Sequence, residues 1–124
     1  MVNCFVGYAI SKDGIKNFNT GLGCDENSNS SVGIYAHSNY KSLSLFDDKH
    51  IAHDLISTQK PNNGSIIILS FDFNNNILMI YHNSMKGGEI SLNGHKSIIP
   101  GVSLCYDGDS IDIIKCKISF RWFH

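Results

Sequence analysis

The run NGSIIILSFDFNNNILMIYHN, Asn63 to Asn83, decides the fold, together with IIPGVSLCYDGDSIDI, Ile98 to Ile113. Ile66 to Phe73 and Ile77 to His82 are rich in β-branched and aromatic residues, which fit a pleated, half-buried surface. Between them stand Asn74, Asn75 and Asn76. Asn enters the left-handed backbone region more readily than most residues, so three in a row between apolar runs predict a hairpin turn. Phe71 and Phe73 share strand parity, which predicts that both rings face the core. After Asn83 the chain reads as a short glycine-bearing loop. Ile98 to Tyr106 and Ser110 to Lys117 then predict a second strand pair around the turn Asp107-Gly108-Asp109, the glycine supplying positive φ.

Working outward, Cys4 to Ser11 reads as a strand that stops at Lys12-Asp13-Gly14. Ser31 to Ala36 is a short strand. Lys41 to Phe46 alternates, with Leu43 and Leu45 on one face and Ser42 and Ser44 on the other. No long window carries a helical apolar period. The best helical candidate, KHIAHDLIS from Lys49 to Ser57, is short and uncapped, and reads as a loop or a single helical turn. Gly14 to Ser30 is rich in Gly, Asn and Ser, and reads as a surface loop between strands, the kind of segment where binding residues concentrate. Short strands at regular spacing, with turn chemistry between them, predict an all-β, antiparallel two-sheet β-sandwich. At 124 residues the chain is expected to be a single domain over 1–124.

Composition narrows the function. Ten basic residues face eleven acidic ones, for a formal charge of −1, and Arg121 is the only arginine. That balance offers no electrostatic footprint for nucleic acid, and phosphate reading lacks its usual side chain. No apolar run reaches the length of a membrane span. The opening MVNCFVGYAIS has no basic region ahead of an apolar core, so no signal peptide is read and an intracellular, cytoplasmic location is expected. Cys4, Cys24, Cys105 and Cys116 form no C-x-x-C pair and are expected as thiols, not as a disulfide framework. The histidines are scattered, so no metal site is expected.

Catalytic patterns are weak. Gly21-Leu22-Gly23 is followed by Cys24-Asp25-Glu26, which would repel a phosphate. No G-x-S-x-G elbow occurs. Of the nine aspartates, Asp13, Asp47, Asp48, Asp107 and Asp109 sit in turn contexts that explain them without catalysis. Asp25-Glu26-Asn27 offers oxygen ligands for calcium but matches no EF-hand spacing, and reads as a solvated acidic loop. Phe5, Phe71, Phe73 and Tyr81 lie in strands and read as packing residues. Tyr40 and Tyr106 lie beside loops instead.

Four segments in order resemble the SPRY family. Phe5-Val6-Gly7-Tyr8-Ala9 is similar to its VGVA strand. Gly21 to Asp25, followed by Ser31-Val32-Gly33-Ile34, resembles its LGxD and SxGY segment. Gly64 to Asn83 resembles its GDxIG hairpin, with Asp72 and Asn83 on matching positions. Ile99 to Leu104 is similar to LYPAVSL. The chain departs from the pattern where Ser84 replaces the glycine after Asn83. Lys115-Cys116-Lys117 stands near the place of the family's NFG. The family also carries one or two strands before VGVA, so the resemblance implies a shortened member, without the full B30.2 extension and with a newly exposed strand edge.

The resemblance implies a concanavalin-like jelly-roll sandwich that binds a protein or peptide through loops at one end, adaptor-like. It implies no catalysis, no cofactor and no metal. The implied surface comprises Asp25, Asn39, Tyr40, Lys41, Tyr106 and Asp107. Tyr40 and Tyr106 would be apolar anchors, Asn39 and Lys41 donors, and Asp25 and Asp107 acceptors. The alternative is a carbohydrate-binding module, because lectin-like sandwiches use Asn, Asp and Tyr on similar loops.

Overall fold

A computed structural model describes residues 3–11, 13–37, 43–49 and 60–104, and the backbone of 52–54. Within these lie eight strands: β1 (Asn3–Ala9), β2 (Ser31–His37), β3 (Ser44–Phe46), β4 (Ala52–Asp54), β5 (Ile67–Asp72), β6 (Ile77–His82), β7 (Met85–Ser91) and β8 (Ile99–Leu104). They form two antiparallel sheets, one ordered β4-β3-β2-β1-β8 and one ordered β5-β6-β7. The protein is an all-β sandwich. Among the described residues the helical content is one 3₁₀ turn, Asp25–Asn27.

Parity decides the core. On β1, Cys4, Val6 and Tyr8 point inward, opposite Ala36, Ile34 and Val32 of β2. Leu45 of β3 lies opposite Ile34 and extends the same face. The smaller sheet answers with Leu69 opposite Ile80 and Phe71 opposite Leu78. Tyr8, Ile34, Leu43, Leu45, Leu78, Ile80 and Leu92 are almost wholly removed from water. Each such side chain contributes about 1.5–3 kcal/mol of transfer free energy. His82 is buried among them, opposite Ile67, with Nε2 3.0 Å from the Ser65 hydroxyl.

The turns show how local chemistry sets register. Asp72 closes the β5–β6 turn, its carboxylate accepting from the Asn75 backbone N–H at 3.1 Å and the Asn75 amide at 2.8 Å. Asn76 ends that turn at φ 59°. β6 and β7 are joined by Asn83 and Ser84, both at positive φ, with His82 paired to Met85. Two consecutive positive-φ residues are the mark of a type I′ hairpin, whose twist matches that of the strands.

Three expectations are corrected. Within Lys49 to Ser57, Ala52–Asp54 is a strand, not a loop or helical turn. It exists because β3 supplies a partner, Phe46 opposite Ala52 and Ser44 opposite Asp54. The glycine-bearing stretch after Asn83 is strand β7, held by the tight hairpin that returns the chain alongside β6. Phe71 packs inward, but Phe73 is 42% exposed, because β5 ends at Asp72 and Phe73 already belongs to the turn. In addition, β1 is no edge strand: it lies between β2 and β8. The strand read at Ser110 to Lys117 and the turn Asp107-Gly108-Asp109 lie outside the described residues, as do Lys41 and Ser42.

Candidate functional site

The connection from β1 to β2 is the most elaborate surface segment described. It starts after Ala9, crosses the outer face of the larger sheet and enters β2 at Ser31. Its organising residue is Asn27, buried although polar. The Asn27 Oδ1 accepts from the backbone N–H groups of Lys16 at 2.7 Å and Asn17 at 3.1 Å. Its Nδ2 donates to the Asn17 carbonyl at 3.0 Å and the Thr20 hydroxyl at 3.1 Å. One amide thus replaces the backbone pairing that the irregular segment lacks. Ser31 ties the other side, accepting from the Gly23 N–H and donating to the Asn27 carbonyl, both at 2.8 Å.

Glycines let this segment lie flat on the sheet. Gly33 and Gly101 flank Gly7 on neighbouring strands, so three glycines form a row across β2, β1 and β8. Leu22 is buried over that row: a Cβ on Gly33 would stand 2.7 Å from the Leu22 Cβ, and one on Gly101 3.7 Å from its Cδ1. Gly21 passes over the Phe5 ring, which stacks on Tyr35 at 4.5 Å. Gly21-Leu22-Gly23 is therefore a packing device. Phe5 belongs to this outer layer, whereas Phe71 meets Tyr8 between the sheets. Tyr81 lies half-buried on the outer face of the smaller sheet, opposite Ile68.

The calcium reading of Asp25-Glu26-Asn27 loses one ligand, because Asn27 Oδ1 already accepts two backbone N–H groups. Asp25 and Glu26 are exposed, and Asp25 takes φ 47°. Among the described residues no group of three or more His, Cys, Asp or Glu side chains is arranged to hold a metal. Cys24 is half-buried, and burial, reinforced by Asp25, pushes its thiol pKa up, away from the reactive thiolate.

A second polar cluster joins the turn after β3 to the loop before β8. Asp48 accepts from the Asn93 amide at 2.9 Å and lies 3.3 Å from His95 Nε2. Asn76 bridges onward, accepting from the Gly94 N–H at 2.8 Å and donating to Ser91 Oγ at 3.1 Å. The nearby Tyr8 phenol is pushed well up by burial, with Asp48 and Asp47 adding to the effect, so it stays protonated. These contacts stitch turns together at the end of the sandwich where β1 finishes.

Of the implied partner-binding residues, Asp25 is described and exposed, on the connection that precedes β2. Asn39, Tyr40, Lys41, Tyr106 and Asp107 lie outside the described residues. The strands that lead to them are described. β2 ends at His37, which pairs with Asn3, and β8 ends at Leu104, which pairs with Cys4. Both strand ends therefore lie beside the start of β1, at the end of the sheet opposite Ala9, Ser31 and Ile99. Asn27 carries a structural role that the sequence reading does not single out. The composition of Gly14 to Ser30 marked a loop, but nothing in it singled out which Asn turns inward.

No family model, curated protein or solved structure matches this chain. Among the described residues no helix is long and apolar enough to cross a membrane.

Proposed function

We propose that this protein is a SPRY-like binding module that takes a peptide or protein loop at the end of the sandwich where β2 and β8 finish, without catalysis or cofactor. The observation that carries the reading is the pairing of His37 with Asn3 and of Leu104 with Cys4. Tyr40 follows His37 by three positions and Tyr106 follows Leu104 by two. The strands that lead to them are the two neighbours of β1, so their ends are about 10 Å apart. In this proposal one extended peptide is held at that end of the sheet, with Tyr40 and Tyr106 as its aromatic anchors. Tyr supplies apolar area with a hydrogen-bonding tip, a combination favoured at interface centres. Asn39 and Lys41 would donate to peptide carbonyls or carboxylates, and Asp107 would accept from N–H groups or a basic side chain. Asp25 belongs to a different connection, at the start of β2, about 20 Å along that strand from its end. In our reading it stands outside this surface.

The β-sandwich and the ordered series of SPRY-like segments support a protein ligand. The test is panning of a random peptide phage library against the purified chain, in parallel with a glycan array. Enrichment of related peptides that bind in solution is the expected result. Silence in the library with a defined glycan bound would replace this reading by the lectin-like one.

A further inference from the structure

The two long sides of the sandwich differ. On one, the turn after β3 meets the loop after β7 and the sheets are tied together: Asp48 accepts from the Asn93 amide at 2.9 Å and lies 3.3 Å from His95 Nε2. The other side is open. Tyr8 of β1 meets Phe71 of β5 at 5.3 Å, so the last strand of the smaller sheet on this side stands over β1. The larger sheet continues one strand further, to β8. Val102 and Leu104 pair with Val6 and Cys4, which face inward, so both side chains point into the sandwich. Gly101, between Pro100 and Val102, meets Leu22 on the outer face, in agreement with that parity. Val102 and Leu104 are nevertheless each 45% exposed, whereas Leu45, on β3 at the tied side, is 0% exposed. The inward residues of β5, Ile67, Leu69 and Phe71, are only half-buried, while Leu78 and Ile80 of β6 are buried. An apolar cleft therefore runs along the sandwich between β5 and β8. A contiguous apolar strip of this kind is normally covered.

The sequence that follows Leu104 fits that cleft. Residues 105–124 lie outside the described residues, and they start from β8 itself. The strand pattern read at Ser110 to Lys117 continues beyond it. From Ile114 the alternate residues Cys116, Ile118, Phe120 and Trp122 are apolar, and Lys115, Lys117, Ser119 and Arg121 fall between them. A period of two, with one apolar and one charged face, is the pattern of a strand that covers a core from one side. The link from Cys105 to Ile113 can span about 30 Å. Packed sheets stand roughly 10 Å apart, so the link lets the segment lie along the cleft in either direction. We propose that Ile114 to Trp122 is the occupant and closes the open side between β8 and β5, its apolar set inward against Val102 and Leu104 and its Lys and Arg side chains in water. A tether to the strand that forms the cleft gives this segment an effective concentration on the order of millimolar, against which a second copy or a separate partner must compete. The proposal does not depend on the peptide site at Tyr40 and Tyr106.

The test is a methyl nuclear Overhauser measurement on the full chain in solution. The expected result is cross-peaks from the Val102 and Leu104 methyls to the side chains of Ile114, Ile118, Phe120 or Trp122, and none to Lys115 or Lys117. A mixture of labelled and unlabelled chains, filtered for contacts between molecules, should show none of these peaks. Trp122 is the only tryptophan, so its fluorescence reports the same event. Its emission should be blue-shifted and poorly quenched by acrylamide in the parent, and red-shifted and readily quenched in Val102→Asp. Hydrogen exchange should leave the β6 amides of that variant protected, which separates undocking from unfolding. If Val102→Asp loses protection in β6, Val102→Ser takes its place and the cross-peaks of the parent decide. The proposal is overturned if the two methyl groups show no contact with the segment. Contacts seen only in the filtered mixture overturn it in favour of a second copy. It is equally overturned if Trp122 of the parent emits as a residue in water, or if Val102→Asp leaves its emission unchanged with β6 still protected.

Discussion

The Tyr8 ring, on β1, meets the Phe71 ring, on β5, edge to face at 5.3 Å between centroids and 79° between planes. This pair joins the two sheets. Phe73 stacks on the far side of Phe71 at 6.1 Å but faces water. Phe71→Ala should therefore lower unfolding stability by about 2–4 kcal/mol, the range for a ring removed from a partly covered core site. Phe73→Ala should cost about 1 kcal/mol or less. Urea denaturation of both variants checks the ordering, and equal losses would mean that the β5 register is wrong.

Asn27→Ala should destabilise by about 2–4 kcal/mol, because it leaves several backbone groups of Lys16, Asn17 and Gly21 without their partner in a poorly hydrated place. Hydrogen exchange should show the amides of Lys16 and Asn17 losing protection while those of β6 keep theirs. Loss of protection in β6 as well would mean that the connection is part of the cooperative core.

Ser84 sits at φ 72°, where a side chain is strained. Ser84→Gly removes that strain but gives the unfolded chain more freedom. The two effects leave a net stabilisation of about 0.5–1 kcal/mol. A higher denaturation midpoint with an unchanged slope is the expected readout. A lower midpoint would contradict the type I′ geometry.

His82 is buried with its imidazole pKa lowered by desolvation. The folded state then binds a proton less readily than the unfolded chain, whose imidazole titrates near about 6.5. In that window the unfolded state carries more protons, so stability rises with pH. This contribution is complete above the unfolded value and is eroded as pH falls below it. Midpoints measured at pH 7.5 and pH 5.5 should differ in that direction, and His82→Gln should shrink the difference. An unchanged difference in the variant would assign the effect elsewhere.

The strands that could be read from sequence are those whose own residues alternate. β1, β2, β5 and β6 carry their apolar pattern locally, and Asn74 to Asn76 announced their turn. β4 and β7 could not be read that way. Ala52–Asp54 is a strand only because β3 lies beside it, and MKGGEIS has two glycines where a strand usually packs side chains. Both depend on pairing between segments, which no local window contains. The seat of Leu22 on Gly33 and Gly101 is likewise a contact across three strands. For the binding surface, the residues proposed from sequence, Asp25 apart, lie outside the described residues, and the register of β2 and β8 on β1 gives only where those two strands end. Asp25 was grouped with them by family resemblance, and its connection runs at the other end of β2.

The central claim is that partners are held beside the ends of β2 and β8, and one affinity comparison tests it most directly. Titration calorimetry with a peptide selected against the parent chain would compare Tyr106→Ala with Lys86→Ala. Lys86 lies on β7, exposed, bridged to Glu89 at 2.8 Å, on the outer face of the smaller sheet. A central aromatic anchor contributes about 2 kcal/mol or more on truncation, so Tyr106→Ala should weaken binding at least about 30-fold with its melting temperature nearly intact. Lys86→Ala should change little. Unchanged affinity in Tyr106→Ala, with binding abolished in Lys86→Ala, would place the partner on the smaller sheet and contradict the account.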